Sequence, residues 1–139
     1  MRLRPLIKNI VNDVNLYPNV EINNISTNSR AIKEGSLFFA IKGSNHDGHE
    51  YISDAIKNKV SAIIANKTLK NLPVPLIKVK DTRRVLSKIA SKFYKNPSEK
   101  LKIIGVTGTN GKTTTSSLIK SIFDSAGIDA ALLGTNGLI

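Results

Sequence analysis

The 139-residue chain has no cysteine and no tryptophan, and aromatic residues make up only 5% of it. Without cysteine it can form neither a disulfide nor a thiolate metal site, and it offers no cysteine nucleophile; this is compatible with a reducing, cytoplasmic location. The scarcity of aromatics removes the stacking platforms on which single-stranded nucleic acid is held. No apolar run approaches the ~20 residues needed to span a bilayer. Residues 1–12 do not read as a secretory leader, because Arg4, Pro5, Lys8 and Asn9 interrupt them. Acidic residues are few, 10 against 21 Lys and Arg, for a formal charge of +11.

That charge divides unevenly. Residues 1–100 hold 18 basic and 8 acidic residues, and residues 101–139 hold 3 and 2. The excess is dispersed. Over the helix predicted at 82–95, Val85, Leu86, Ile89, Ala90, Phe93 and Tyr94 form an apolar face, and Arg84, Lys88, Lys92 and Lys95 fall largely elsewhere, as on a solvated face. A positive field drawing in a small anionic substrate is the better reading, and nucleic acid is not expected as a partner.

The richest segment runs Ile103-Ile104-Gly105-Val106-Thr107-Gly108-Thr109-Asn110-Gly111-Lys112-Thr113-Thr114-Thr115. An apolar run enters a glycine-bracketed turn that ends in Lys-Thr-Thr. Glycines at 108 and 111 free the backbone and keep side chains out of the way, so that N–H groups converge on phosphate oxygens at a helix start. Lys112 brings a charge to the terminal phosphates, and the Thr113 hydroxyl is placed to ligate magnesium. The strict P-loop spacing is not met, since Val106 stands where its first glycine belongs. Beyond the turn, Leu118, Ile119, Ile122, Phe123 and Ala126 recur at helical spacing, with Gly127 as a stop. Ala130-Ala131-Leu132-Leu133 is expected to return as a parallel strand, completing a β-loop-α-β unit. Only about 39 residues follow Lys100, against the order of 150 typical of a whole domain. A fragment of a longer enzyme is therefore expected.

The first hundred residues predict one α/β unit: a helix near Leu3 to Val14, an extended stretch over Val20 to Ser26, strands at Ser36 to Ile41, Ser61 to Ala65 and Leu76 to Val79, a short helix around Ile52 to Ile56, and the helix at 82–95. Asn96-Pro97-Ser98 breaks that helix and marks a boundary, giving domains 1–97 and 98–139. Two loops are candidates for binding. Thr27-Asn28-Ser29-Arg30 is either a helix-capping turn or a phosphate or sugar site. Gly43-Ser44-Asn45-His46-Asp47-Gly48-His49 is a polar loop between glycines, and its two histidines with one aspartate are too few to predict a metal.

Thr27 to Arg30, Gly35, Leu37 to Ala40, Gly43, Asp47-Gly48-His49, Phe93-Tyr94, Pro97-Ser98 and Gly105 to Thr114 resemble, in order and spacing, the N-terminal part of the Mur ligases. Within that family the resemblance is greatest to the branch that adds the third residue of the peptidoglycan stem peptide; Gly134-Thr135-Asn136-Gly137 adds to it. It implies an α/β substrate-binding domain, 1–97, followed by the opening of a P-loop ATP-binding domain. The activity it implies is an ATP- and magnesium-dependent amide ligase. ATP phosphorylates the D-glutamate carboxylate of UDP-N-acetylmuramoyl-L-Ala-D-Glu, the amine of diaminopimelate or lysine attacks the acyl phosphate, and phosphate leaves. Carried over by motif, Thr27 and Ser29 fall at the uridine-nucleotide contacts and Ser44, Asn45 and His46 on the loop covering it. Gly108, Thr109, Asn110, Gly111, Lys112, Thr113 and Thr114 hold ATP, Lys112 is catalytic, and Thr113 ligates magnesium. A ligase adding D-Ala-D-Ala and a non-catalytic UDP-substrate-binding module are the alternatives. The family usually has aspartate where Asn28 stands, which retains a hydrogen-bonding oxygen without the charge.

Overall fold

A computed structural model of the chain describes residues 1–44, 46–135 and 137–139. It contains two compact units, Met1–Lys100 and Leu101–Ile139.

The first unit is built on four parallel strands in the order β1 (Asn24–Ser26), β2 (Ser36–Phe39), β3 (Ala62–Ala65) and β4 (Leu76–Lys78). Their register pairs Ile25 with Leu37, Phe38 with Ile63, and Ile64 with Ile77. An all-parallel sheet is covered on both faces, and its strands read as continuous apolar runs. Leu37-Phe38-Phe39-Ala40 and Ala62-Ile63-Ile64-Ala65 meet that requirement, every residue being 0% exposed. Alternation sends their side chains two ways. Leu37, Phe39, Ala62, Ile64 and Ile77 form one core with Leu3, Leu6 and Ile7 of α1 (Leu3–Ile7) and Ile89 of α3 (Thr82–Phe93). Phe38, Ala40, Ile63 and Ala65 form the other with Ile52 and Ala55 of α2 (Ile52–Lys57). Each large side chain so buried contributes roughly 1.5–3 kcal/mol.

The α/β class expected from sequence holds, and the elements differ at their ends. The first helix stops at Ile7 rather than near Val14, because Asn9 takes a left-handed φ of 70° and the chain turns there. A 3-10 turn at Val14–Leu16, capped by Asp13, takes up the rest. Asp81 caps α3 by accepting from the Arg84 N–H at 3.0 Å. The helix ends before Lys95 and Asn96, both at positive φ, so Tyr94 lies past the packed face and is 58% exposed.

The second unit contains α4 (Lys112–Ser125) and a two-residue antiparallel pair, β5 (Leu133–Gly134) with β6 (Gly137–Leu138). The apolar runs at 103–106 and 130–132 are not strands here. A strand needs a neighbour for its ladder. These two runs do not pair with one another, and Leu132 instead exchanges both backbone hydrogen bonds with Ile139 at 2.9 Å. The expected parallel return is thus corrected to a short hairpin. Gly127 does end α4: at φ 69° it lets Ile128 N–H reach the Phe123 carbonyl at 2.9 Å, a left-handed cap.

Candidate functional site

The carboxyl ends of β1, β2 and β4 lead into the segments that line a pocket of about 740 Å3, and Thr27, Ser29, Arg30, His46, Tyr51 and Arg83 are among its walls. In open α/β sheets ligands bind outside the carboxyl ends of the strands, and this volume is in the range of small-molecule sites.

Each wall is fixed locally. After β1, the Ser26 hydroxyl accepts the Asn28 N–H at 3.1 Å and donates to the Asn28 carbonyl at 2.8 Å. The Asn28 side-chain oxygen then accepts the Arg30 N–H at 2.9 Å, capping a 3-10 turn at Ser29–Ala31. The amide oxygen meets that need as a carboxylate oxygen would, so the loss of charge at this position leaves the turn intact. Ser29 is buried, with its carbonyl accepting from the Asn58 amide at 3.1 Å.

After β2 the chain makes a tight turn in which the Gly43 N–H donates to the His46 carbonyl at 2.8 Å. It returns to cross its own path at Gly48, whose N–H donates to Ile41 at 2.9 Å. A Cβ at Gly48 would lie 2.6 Å from the Ile41 nitrogen, so only glycine fits. Asp47 anchors this loop. Its Oδ1 caps the turn at Gly48–Tyr51 by accepting from His49 N–H at 3.0 Å and contacts His49 Nδ1 at 2.5 Å, while Oδ2 accepts from Lys67 Nζ at 2.9 Å. The Lys67 ammonium first, and then the His49 hydrogen bonds, hold the Asp47 carboxyl well below the usual carboxylate range.

Of the residues predicted from sequence in this unit, Thr27, Ser29 and His46 come together on the pocket wall. Ser44 is exposed on the same turn and is not among the lining residues, and Asn45 lies outside the described residues. Sequence reasoning missed Tyr51 and Arg83. A signal for Arg83 was present: it is a cation in the first turn of α3, where the helix dipole disfavours positive charge. Among the described lining residues there is no carboxylate, and two guanidiniums, Arg30 and Arg83, are present.

In the second unit the residues from Gly108 to Thr114 form the turn into α4. Gly108 and Gly111 have φ of 152° and 75°, and a Cβ at Gly111 would meet nothing within 4 Å. The first backbone bond of the helix is Thr115 N–H to the Gly111 carbonyl, 2.9 Å. The N–H groups of Lys112, Thr113 and Thr114 precede it and are the orphan donors of a helix start. Lys112 bends back so that Nζ donates to the carbonyls of Gly108 at 2.5 Å and Thr109 at 3.1 Å. The turn therefore carries an ammonium and free backbone donors, with the glycine side open. These suit a phosphate chain. For magnesium, Thr113 provides one hydroxyl at the helix start, and among the described residues no group of three His, Cys, Asp or Glu could hold a metal ion. A metal here would be completed by phosphate oxygens and water, the usual habit of magnesium.

Comparison with known proteins agrees with both units. The profile described as "Mur ligase family, catalytic domain" matches residues 21–94, and that of the "Mur ligase middle domain" matches residues 106–139. The chain belongs to the Mur ligase family. It is 43% identical over 140 residues to the UDP-N-acetylmuramoyl-L-alanyl-D-glutamate--2,6-diaminopimelate ligase of Clostridium tetani, covering 97% of this chain and 29% of that protein. A solved structure of a ligase of the same name superposes with a TM-score of 0.69 at 25% identity, over 85% of this chain and 24% of that one. MurF ligase from Thermotoga maritima, solved in complex with ADP, superposes with a TM-score of 0.60 at 33% identity, over 74% of this chain and 23% of that one. The chain thus spans less than a third of the length of these relatives. Among the described residues, no helix is long and apolar enough to cross a membrane.

Proposed function

We propose that this Mur ligase chain supplies the nucleotide-sugar site and the opening of the ATP site of a cytoplasmic ligase that adds diaminopimelate to UDP-N-acetylmuramoyl-L-Ala-D-Glu. The observation that carries the reading is the pocket at the carboxyl edge of the first sheet, walled by the two loops on which the family resemblance depends and lined by cations without carboxylates. The 43%-identical relative bears that activity in its name, which favours diaminopimelate over lysine as the incoming amino acid and over D-Ala-D-Ala addition.

In this reading residues 1–97 hold the UDP end, with Thr27 and Ser29 at the uridine nucleotide and Ser44, Asn45 and His46 on the covering loop. Residues 98–139 begin the ATP-binding domain. Gly108, Thr109, Asn110, Gly111 and Thr114 hold the phosphates through backbone and side-chain donors, and Thr113 offers its hydroxyl to magnesium. Lys112 exchanges its two carbonyl contacts for the γ-phosphate and neutralises charge as the phosphoryl group moves. ATP supplies the phosphoryl group that converts a poorly leaving carboxylate oxygen into phosphate. Nucleic acid and membrane insertion have no part in it.

A second reading, a UDP-substrate-binding module without catalysis, draws on the pocket of the first unit alone. Calorimetric titration with UDP-N-acetylmuramoyl-L-Ala-D-Glu, UDP, and ATP with magnesium tests both. The ligase reading expects saturable binding of the muramoyl substrate and UDP at one site and ATP at another. Binding of the first two alone favours the module, and binding of none of them by folded chain contradicts both.

A further inference from the structure

We infer that Arg83 and Arg30 form a two-sided clamp for the diphosphate of the nucleotide ligand, with Arg83 a binding residue that neither loop motif reveals. The inference rests on the reading of the pocket as a nucleotide-sugar site and adds which side chains take the anionic part of the ligand.

The two guanidiniums reach the pocket from different segments, Arg30 from the turn after β1 and Arg83 from the start of α3 after β4. Among the described residues neither lies within ion-pair distance of a carboxylate. The carboxylate on the neighbouring loop, Asp47, is engaged by Lys67 at 2.9 Å and by His49. Arg83 stands in the first turn of its helix, where the Asp81 carboxylate is taken up in capping the Arg84 N–H. Among the described residues its side chain makes one hydrogen bond, from Nη2 to the Lys42 carbonyl at 3.2 Å. A guanidinium has five N–H donors, so that bond aims the group from the loop after β2 and leaves donors for a ligand. Arg30 is aimed by its backbone, since Asn28 holds its N–H at 2.9 Å. Two planar forks lining one pocket from different segments suit two adjacent phosphoryl groups, which guanidinium recognises through paired hydrogen bonds. Tyr51, Ile41 and Leu86 add less polar wall on which a base or sugar can lie.

The test is a titration of the isotopically labelled 139-residue chain with UDP and, separately, with uridine, followed by amide shifts for the parent, Arg83→Gln and Arg83→Lys. Loss of a charged hydrogen bond corresponds to about tenfold or more in affinity. Arg83→Gln is expected to weaken UDP by that factor and to leave uridine unchanged, with Arg83→Lys between parent and Gln for UDP. Equal weakening of UDP and uridine would mean that Arg83 only holds the Lys42 loop, and would overturn the inference; unchanged UDP affinity in a folded variant would do the same. A parent chain that binds neither ligand would instead overturn the nucleotide-sugar reading of the pocket, and the clamp with it.

Discussion

The two units differ in how their candidate sites are held in place. In Met1–Lys100 the sheet is buried on both faces, Phe38 and Phe39 pointing into opposite cores at 0% exposure. In Leu101–Ile139 no described residue is buried, and Leu118 and Ile122 of α4 are 59% and 68% exposed. The first unit holds its pocket-lining side chains on a closed scaffold. The second presents a turn whose backbone donors and lysine are local features, formed by four glycine-spaced residues and a helix start. The geometry of the 108–114 turn is set by residues adjacent in sequence, whereas the pocket at the sheet edge needs segments that follow three different strands.

Core truncation should break this contrast most visibly. Phe39→Ala is expected to cost about 3–5 kcal/mol in urea unfolding monitored by circular dichroism. Leu118→Ala, on an exposed face, should change the same transition by less than about 0.5 kcal/mol. Comparable losses for both would mean that α4 is packed. Next in size is Gly48→Ala. With the Ile41 backbone 2.6 Å from the new Cβ, the loop must shift, at about 1–3 kcal/mol by the scale of overpacked sites. UDP affinity should fall with it, since Gly48 lines the pocket.

Lys112→Met sharpens the comparison from the other side. ATP affinity should drop about tenfold, as for loss of a charge-assisted contact. Unfolding and UDP affinity should be unchanged, and a fall in UDP affinity would argue against separate roles for the units. The smallest expected effect is on pH dependence. The Asp47 carboxyl is held below its ordinary range by Lys67 and His49, so its contribution is full above about pH 4 and is lost as pH falls through the lowered value. The stability difference between parent and Asp47→Asn should shrink in strong acid, where the Asp47 carboxyl takes up its proton. A difference that persists undiminished in strong acid would contradict the ion pairing.

Much of this was legible in the chain. The apolar runs at 36–41 and 61–65 announce buried parallel strands because a strand covered on both faces needs no polar alternation. Gly127 announces the end of α4 because few residues tolerate its φ. The turn at 108–114 is readable because its chemistry is local. What could not be read depends on partners distant in sequence. The runs at 103–106 and 130–132 look like strands, yet strand formation is settled by a neighbour. Asn9 belongs to a residue type that tolerates a left-handed φ, but whether it adopts one and shortens the first helix is settled by the packing around it. Arg83 sits 53 residues from Arg30, so their shared pocket becomes visible only once β1 and β4 are placed in one sheet. Asn28, which stands where the family usually has aspartate, still caps its turn because the turn needs an acceptor oxygen rather than a charge.

The central claim is that the carboxyl edge of the first sheet takes the UDP end of the substrate. A residue-resolved amide-shift titration of the 139-residue chain with UDP tests it most directly. The account predicts saturable changes at Thr27 to Arg30, at Gly43 to Gly48 and at Arg83, with residues 101–139 unmoved. Changes centred on Gly108 to Thr114, or no saturable change in a folded sample, would contradict it.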